Sequence, residues 1–157
     1  MKEIILNNEW KLIFPDGFRV MDAEEKNRLN FIEKGPGECL TDPEKHITVS
    51  IAWKAAGFLA SALLNTRALA QNMEAQTRKP MSAYGNQLEG FVSGNTGGKE
   101  FDGYRCRYEV QGTGMFAQSL VVRSKRTFYY LHFYCREAMR EESLEILEEI
   151  LGTAVWI

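Results

Sequence analysis

Residues Tyr104 to Cys135 read YRCRYEVQGTGMFAQSLVVRSKRTFYYLHFYC, and this stretch decides the fold class. Three runs rich in aromatic and β-branched residues, Tyr104–Gln111, Phe116–Arg123 and Phe128–Cys135, are separated by Gly112-Thr113-Gly114 and by Ser124-Lys125-Arg126. Loops this short bring each strand back against the one before it, so the pairing is sequential and antiparallel. A further strand, Gln87–Ser93, precedes them across Gly94-Asn95-Thr96-Gly97-Gly98. The four form a meander in the C-terminal half.

Upstream, Ile47, Val49, Ile51 and Trp53 alternate with smaller or polar residues, the period of a strand with one apolar face. Glu9–Phe14 is a strand stopped by Pro15-Asp16-Gly17, and Phe18–Met21 resumes, a strand, tight turn, strand unit. Asp22 and Glu25 are spaced as a capping box, predicting a short helix over Ala23 to Arg28. Gly35, Pro36, Gly37, Asp42 and Pro43 predict a surface loop between Lys34 and Glu44.

Two longer helices follow from period. Leu59, Ala62, Leu63, Thr66, Leu69, Ala70, Met73 and Thr77 fall on one face of a continuous helix from Phe58 to Lys79, ended by Pro80. Leu144, Leu147, Ile150 and Leu151 do the same for Arg140 to Leu151, with Gly152 as C-cap. The expectation is one α+β domain over residues 1–157, an antiparallel sheet with one long central helix and a C-terminal helix packed on it.

The opening Trp10 strand running into Phe14-Pro15-Asp16-Gly17-Phe18, with this order of elements, resembles the PsbP-like superfamily. That group includes an extrinsic protein of the photosystem, a nuclear-import release factor that binds the GTPase Ran, bacterial DcrB-like proteins and small secretion chaperones. The resemblance implies an α/β/α sandwich that acts by binding another protein and has no shared catalytic residue.

Composition sets the class. Hydrophobic residues make up 45% of the 157 and charged residues 25%, an ordinary globular balance that requires no cofactor for folding. A net charge of -2 gives no global attraction to nucleic acid or anionic lipid. No run resembles a signal peptide or a membrane span. Cys39, Cys106 and Cys135 are odd in number and lack CxxC spacing, which suits reduced thiols in the cytoplasm.

Motifs for catalysis or metal binding do not emerge. Gly94–Glu100 lacks the hydroxyl residue that follows lysine in a phosphate loop. The arginine of a phosphatase loop starting at Cys135 would fall at position 141, which is Glu141. His46 and His132 have no partner at a zinc spacing, and there is no Gly-x-Ser-x-Gly elbow. A small hydrolase or transferase using His132 with Cys106 or Cys135 is the least favoured reading. The expected protein is not an enzyme.

Alternation in the meander supplies the candidate binding residues. Tyr104, Cys106, Tyr108 and Val110 share one face of their strand and Arg105, Arg107, Glu109 and Gln111 the other, while Tyr130, His132 and Tyr134 oppose Leu131, Phe133 and Cys135. If the registers align, Arg105, Arg107, Tyr130, His132 and Tyr134 make a semi-polar surface suited to stacking and hydrogen bonding with a partner. A solvated face laced with cross-strand Arg–Tyr pairs is the plainer alternative.

The expected function is that of a protein-binding domain, an adaptor or chaperone, with an unnamed partner or a second copy of the chain. The alternative is a domain taking a small apolar or aromatic ligand between the sheet and the long helix, in a pocket lined by tyrosine and methionine.

Overall fold

The computed structural model describes residues 1–28 and 36–157. Its strands in chain order are β1 (Lys2–Leu6), β2 (Trp10–Phe14), β3 (Arg19–Val20), β4 (Gly37–Asp42), β5 (Ile47–Ala55), β6 (Gln87–Thr96), β7 (Lys99–Val110), β8 (Thr113–Ser124), β9 (Thr127–Arg136) and β10 (Val155–Trp156). The helices are α1 (Ala23–Arg28), α2 (Phe58–Leu63), α3 (Thr66–Met81) and α4 (Arg140–Gly152).

The meander is present as expected, with each strand longer than its apolar run. β6 to β9 pair antiparallel in sequence, and β5, β4 and β3 extend them into a seven-stranded sheet of order β3-β4-β5-β9-β8-β7-β6. The β7–β8 turn places Gln111 and Gly112 in the left-handed region, as a tight hairpin requires. The fold class is α+β with an antiparallel sheet.

β1, β2 and β10 form a separate three-stranded sheet. Together with α4 it covers one face of the large sheet, and α3 covers the other. The first interface holds Trp10, Leu12, Phe14, Leu40, Val49, Leu131 and Phe133, all fully buried. Trp10 meets Tyr129 edge-on with ring centroids 5.3 Å apart, and the Tyr129 hydroxyl donates to Glu9 Oε1 at 2.7 Å. The second interface is smaller and more polar, built on Ala70, Met73, Met81, Tyr104, Cys106 and Phe128.

Several expectations need correction. The stretch predicted as a loop contains β4, whose Cys39 and Leu40 are fully buried against β5. Its turn formers sit at the ends: Gly37 lies where a Cβ would be 2.9 Å from the Ile51 carbonyl, and Asp42 accepts the Lys45 amide at 3.2 Å. Lys34 and Gly35 lie outside the described residues. The strand, turn, strand unit is not a hairpin, because β2 and β3 belong to different sheets and Pro15-Asp16-Gly17 carries the chain between them. β1 and β10 were not foreseen.

The continuous helix is two helices. Leu64 is extended, and Asn65 starts a new one by accepting the Ala68 amide at 2.7 Å. Pro80 falls inside the last turn of α3, where the helix continues to Met81 and then a 3-10 turn over Ser82–Tyr84. Gly152 is the last residue of α4, and Thr153 is its C-cap. The capping box of α1 forms as predicted: the Glu25 amide donates to Asp22 Oδ1 at 2.8 Å and the Asp22 amide to Glu25 Oε1 at 3.3 Å. Among the described residues no helix is long and apolar enough to cross a membrane.

Candidate functional site

Register decides which side chains meet. Two-residue connections pair Val110 with Thr113 and Ser124 with Thr127, so Tyr104 lies beside Ser119 and Ser119 beside His132. On the next row of that face, Cys106 lies beside Ala117 and Ala117 beside Tyr134. Directly opposed residues project to the same side of a sheet. Tyr130, His132 and Tyr134 are therefore brought together on the face that α3 covers, with Tyr104, Cys106 and Tyr108.

Arg105 and Arg107 are not part of that group. Arg105 pairs with Gln118 and Gln118 with Phe133, which puts it on the opposite face, where its Nε donates to Gln118 Oε1 at 2.6 Å. Arg107 shares that face and pairs with Glu89 at 2.8 Å and Glu137 at 3.3 Å. The five candidate residues divide between two faces of one sheet.

Between α3 and the sheet lies a cavity of about 370 Å³. Tyr104, Tyr108 and Tyr134 line its floor, and Pro80, Met81 and Tyr84 its roof and rim. Ser119 and His132 share a buried hydrogen bond of 2.7 Å between Oγ and Nδ1. The Tyr104 hydroxyl reaches Ser119 and lies 3.5 Å from Thr77 Oγ1 on α3. Imidazole and phenol rings of His132 and Tyr134 run nearly parallel, with centroids 6.3 Å apart.

Burial holds this site uncharged. It lowers His132 to about 4 and pushes Cys106 up to about 11. The phenols of Tyr104, Tyr108 and Tyr134 are raised by the same loss of water. An imidazole of such low basicity, with no carboxylate hydrogen-bonded to it among the described residues, is poorly equipped as a general base. Cys135 lies on the other face of β9 from His132, and burial pushes its thiol up to about 11, away from nucleophilic chemistry.

A second feature lies outside the five candidate binding residues Arg105, Arg107, Tyr130, His132 and Tyr134. Breaking the predicted helix at Leu64 leaves α2 lying on the surface with Phe58 67%, Leu59 76% and Leu63 83% exposed. α2 sits beside the β8–β9 turn: the Arg126 guanidinium lies 4.9 Å over the Phe58 ring, and Arg123 Nη1 donates to the Leu64 carbonyl at 3.5 Å. No acidic residue occurs from Lys45 to Met73 or from Val110 to Arg136. Arg123 and Arg126 border the apolar helix, and the acid nearest in the fold, Asp102, accepts from Thr66 Oγ1 at 2.6 Å at the start of α3. The one sequence signal for this arrangement was Asn65-Thr66, a helix start inside the apolar stripe.

No known family's sequence profile matches the chain, and no curated protein matches it in sequence. Solved structures do match. The solution structure of cyanobacterial PsbP (CyanoP) from Synechocystis sp. PCC 6803 superposes with a TM-score of 0.70 at 9% identity, over 99% of this chain and 92% of that one. LpqN of Mycobacterium tuberculosis, described as involved in cell envelope biogenesis, gives 0.60 at 13% identity over 94% and 82%. The Saccharomyces cerevisiae Ran-binding protein Mog1p gives 0.56 at 9% identity over 98% and 94%. At these identities the likeness is one of fold, and the fold is PsbP-like.

Proposed function

We propose that the chain is a binding domain without chemistry of its own, an adaptor or chaperone that docks an apolar segment of a partner protein on α2. The exposure of Phe58, Leu59 and Leu63 on one short helix carries this reading. Large apolar side chains grouped on a surface mark a contact, because leaving them in water forgoes their burial energy. The surrounding cations, with no acid in the flanking sequence, favour a partner segment that carries carboxylates beside its apolar residues. A protein of this fold in yeast is described as Ran-binding, which fits a protein partner. The proposed setting is the cytoplasm, on the strength of three buried, unpaired cysteines.

The test is affinity capture from host lysate by the wild type and by Leu59→Asp/Leu63→Asp, with light scattering on the purified protein. A captured protein that is lost with the double substitution and weakened by salt supports the reading. Capture that ignores both places the partner elsewhere. A dimer dissolved by the same substitutions makes a second copy of the chain the occupant.

A second reading, a domain for a small apolar or aromatic ligand, is favoured by the cavity under α3, which has the tyrosine and methionine lining expected for it.

A further inference from the structure

We infer that the outer edge of β6 takes an extended segment of a partner protein as an eighth strand, with basic residues facing α4 alternating with apolar residues facing α3. The edge is a different surface from α2, and its occupancy stands or falls independently of the docking proposed there. Three observations point to it.

The first is an open edge that presents its hydrogen-bonding groups. β6 ends the seven-stranded sheet, and among the described residues no strand pairs with its outer side. Gly97 and Gly98, at φ +60° and +87°, form the two-residue turn of the β6–β7 hairpin, which closes on the hydrogen-bonded pair Thr96 and Lys99. Pairs alternate from there, so Phe91, Ser93 and Asn95 fall in non-hydrogen-bonded pairs with β7 and turn their own N–H and C=O groups outward. Edge strands are ordinarily guarded by lysine or proline. From Gly90 to Asn95, β6 has neither, and no charged residue at all.

The second is a cleft on each side of that edge. An added strand takes its affinity from the backbone ladder and its specificity from pockets for alternate side chains. On the α3 side, Arg67, Gln71, Phe91 and Asp102 border a cleft of about 320 Å³. Phe91 is 50% exposed there and Leu88, on the same face, 42%. An apolar side chain opposite Phe91 takes that ring out of water. On the α4 side, Val92, Gly94, Leu144 and Glu148 border a cleft of about 370 Å³. Gly94, where a Cβ would lie 2.4 Å from the Phe101 ring, leaves the way clear for a long side chain to reach from the edge toward Glu148.

The third is charge. α4 carries five glutamates and one arginine, and of these only Arg140 is in an ion pair among the described residues, with Glu89 at 2.7 Å. A second copy paired antiparallel along β6 would be related by a two-fold axis perpendicular to the sheet, which sets α4 beside its own image, acid against acid. A partner strand with lysine or arginine on that side meets Glu148 with the opposite sign. On the α3 side Arg67 and Asp102 offset each other, so Leu88 and Phe91 select apolar residues in between.

The probe is a seven-residue peptide of alternating lysine and valine, followed through the backbone amide resonances of Phe91, Ser93 and Asn95. One control has glutamate for each lysine; the other is N-methylated throughout, which keeps the side chains but leaves no N–H to donate to the edge. The lysine peptide is expected to bind at least about tenfold tighter than either control. Ser93→Pro removes an outward N–H and no bond to β7, so it should weaken that binding about tenfold or more while the unfolding midpoint stays near that of the wild type. Glu148→Lys should erase the preference for lysine over glutamate. Equal binding of the lysine peptide and its N-methylated form, equal binding of the lysine and glutamate peptides, or no shift of the β6 amides with any of the three overturns the inference. So does a dimer of the free protein that Ser93→Pro dissolves, which makes a second copy of the chain the occupant.

Discussion

Ser119 and His132 hydrogen-bond across β8 and β9 at 2.7 Å, inside the sheet face that α3 covers. Burial holds the imidazole to about 4 against an ordinary value of 6.5. Between these limits the unfolded chain takes up a proton that the folded chain refuses. The contribution to stability is therefore complete above pH 6.5, falls as pH drops through the window, and levels off below about 4, with a slope of up to about 1.4 kcal/mol per pH unit. His132→Asn should lose this slope, so the difference between wild-type and variant urea unfolding energies should change with pH by up to about 1.4 kcal/mol per unit between pH 6.5 and pH 4. Parallel profiles would mean that His132 titrates normally.

Gly103 on β7 has no room for a side chain. A Cβ there would lie 1.9 Å from the Ser119 carbonyl oxygen and 2.8 Å from Leu120 Cδ2. Backbone has to move, so Gly103→Ala is expected to cost about 3 kcal/mol or more. Because the displaced strand carries Ser119, the His132 ring resonances should shift as well. A variant with wild-type denaturation midpoint and unshifted imidazole signals would contradict this.

Glu74 on α3 is buried, and its carboxylate is held by the exposed Arg78 one turn on, with Nε contacts of 2.9 and 2.6 Å. Removing the arginine strands a buried charge, whereas replacing the glutamate with an apolar residue of similar size removes charge and partner together. Arg78→Ala should accordingly lower the unfolding midpoint more than Glu74→Met. The reverse order would show that Glu74 is solvated in solution.

Trp156 stacks on Trp10 at 4.8 Å, with ring planes 9° apart, and its Nε1 donates to the Thr96 carbonyl at 3.0 Å. Trp156→Ala is expected to cost about 3 kcal/mol by calorimetry, and Trp156→Phe about 1 kcal/mol through the lost hydrogen bond. Gly97 takes part in the same contact. At φ +60° its Cβ would meet the Ala154 carbonyl at 2.9 Å and the Trp156 ring at 3.0 Å, so Gly97→Ala should also destabilise. An unchanged melting temperature in Trp156→Ala would show the C-terminal strand to be dispensable.

Period-two alternation and short glycine-rich turns made the meander and β5 legible, because those signals are local. β4 was hidden because its apolar centre, Cys39-Leu40, is short and flanked by the residues that also build loops. The helix break was hidden because Leu59 and Leu63 continue the stripe of α3 in period while facing solvent. Hydrophobic spacing does not tell a buried face from an exposed one.

The candidate site was legible within each strand and not between them. Tyr130, His132 and Tyr134 were grouped correctly, but joining them to Arg105 and Arg107 needed a register. That register was available: pairing across Gln111-Gly112 and Lys125-Arg126 sends Arg105 to Phe133. The same count would have joined Tyr104 and Cys106 to His132 and Tyr134.

The three-stranded sheet joins residues from opposite ends of the sequence: β10 pairs Trp156 with Trp10, and the Ile13 amide donates to Thr153 Oγ1 at 2.9 Å. During synthesis these partners are separated by the time needed to add the residues between them, on the order of ten seconds at ordinary rates. Throughout that interval Trp10 lacks the indole that stacks on it, and β2 has one open edge. The hairpin of β1 and β2 therefore keeps an apolar surface uncovered until β10 has been made and has paired with it.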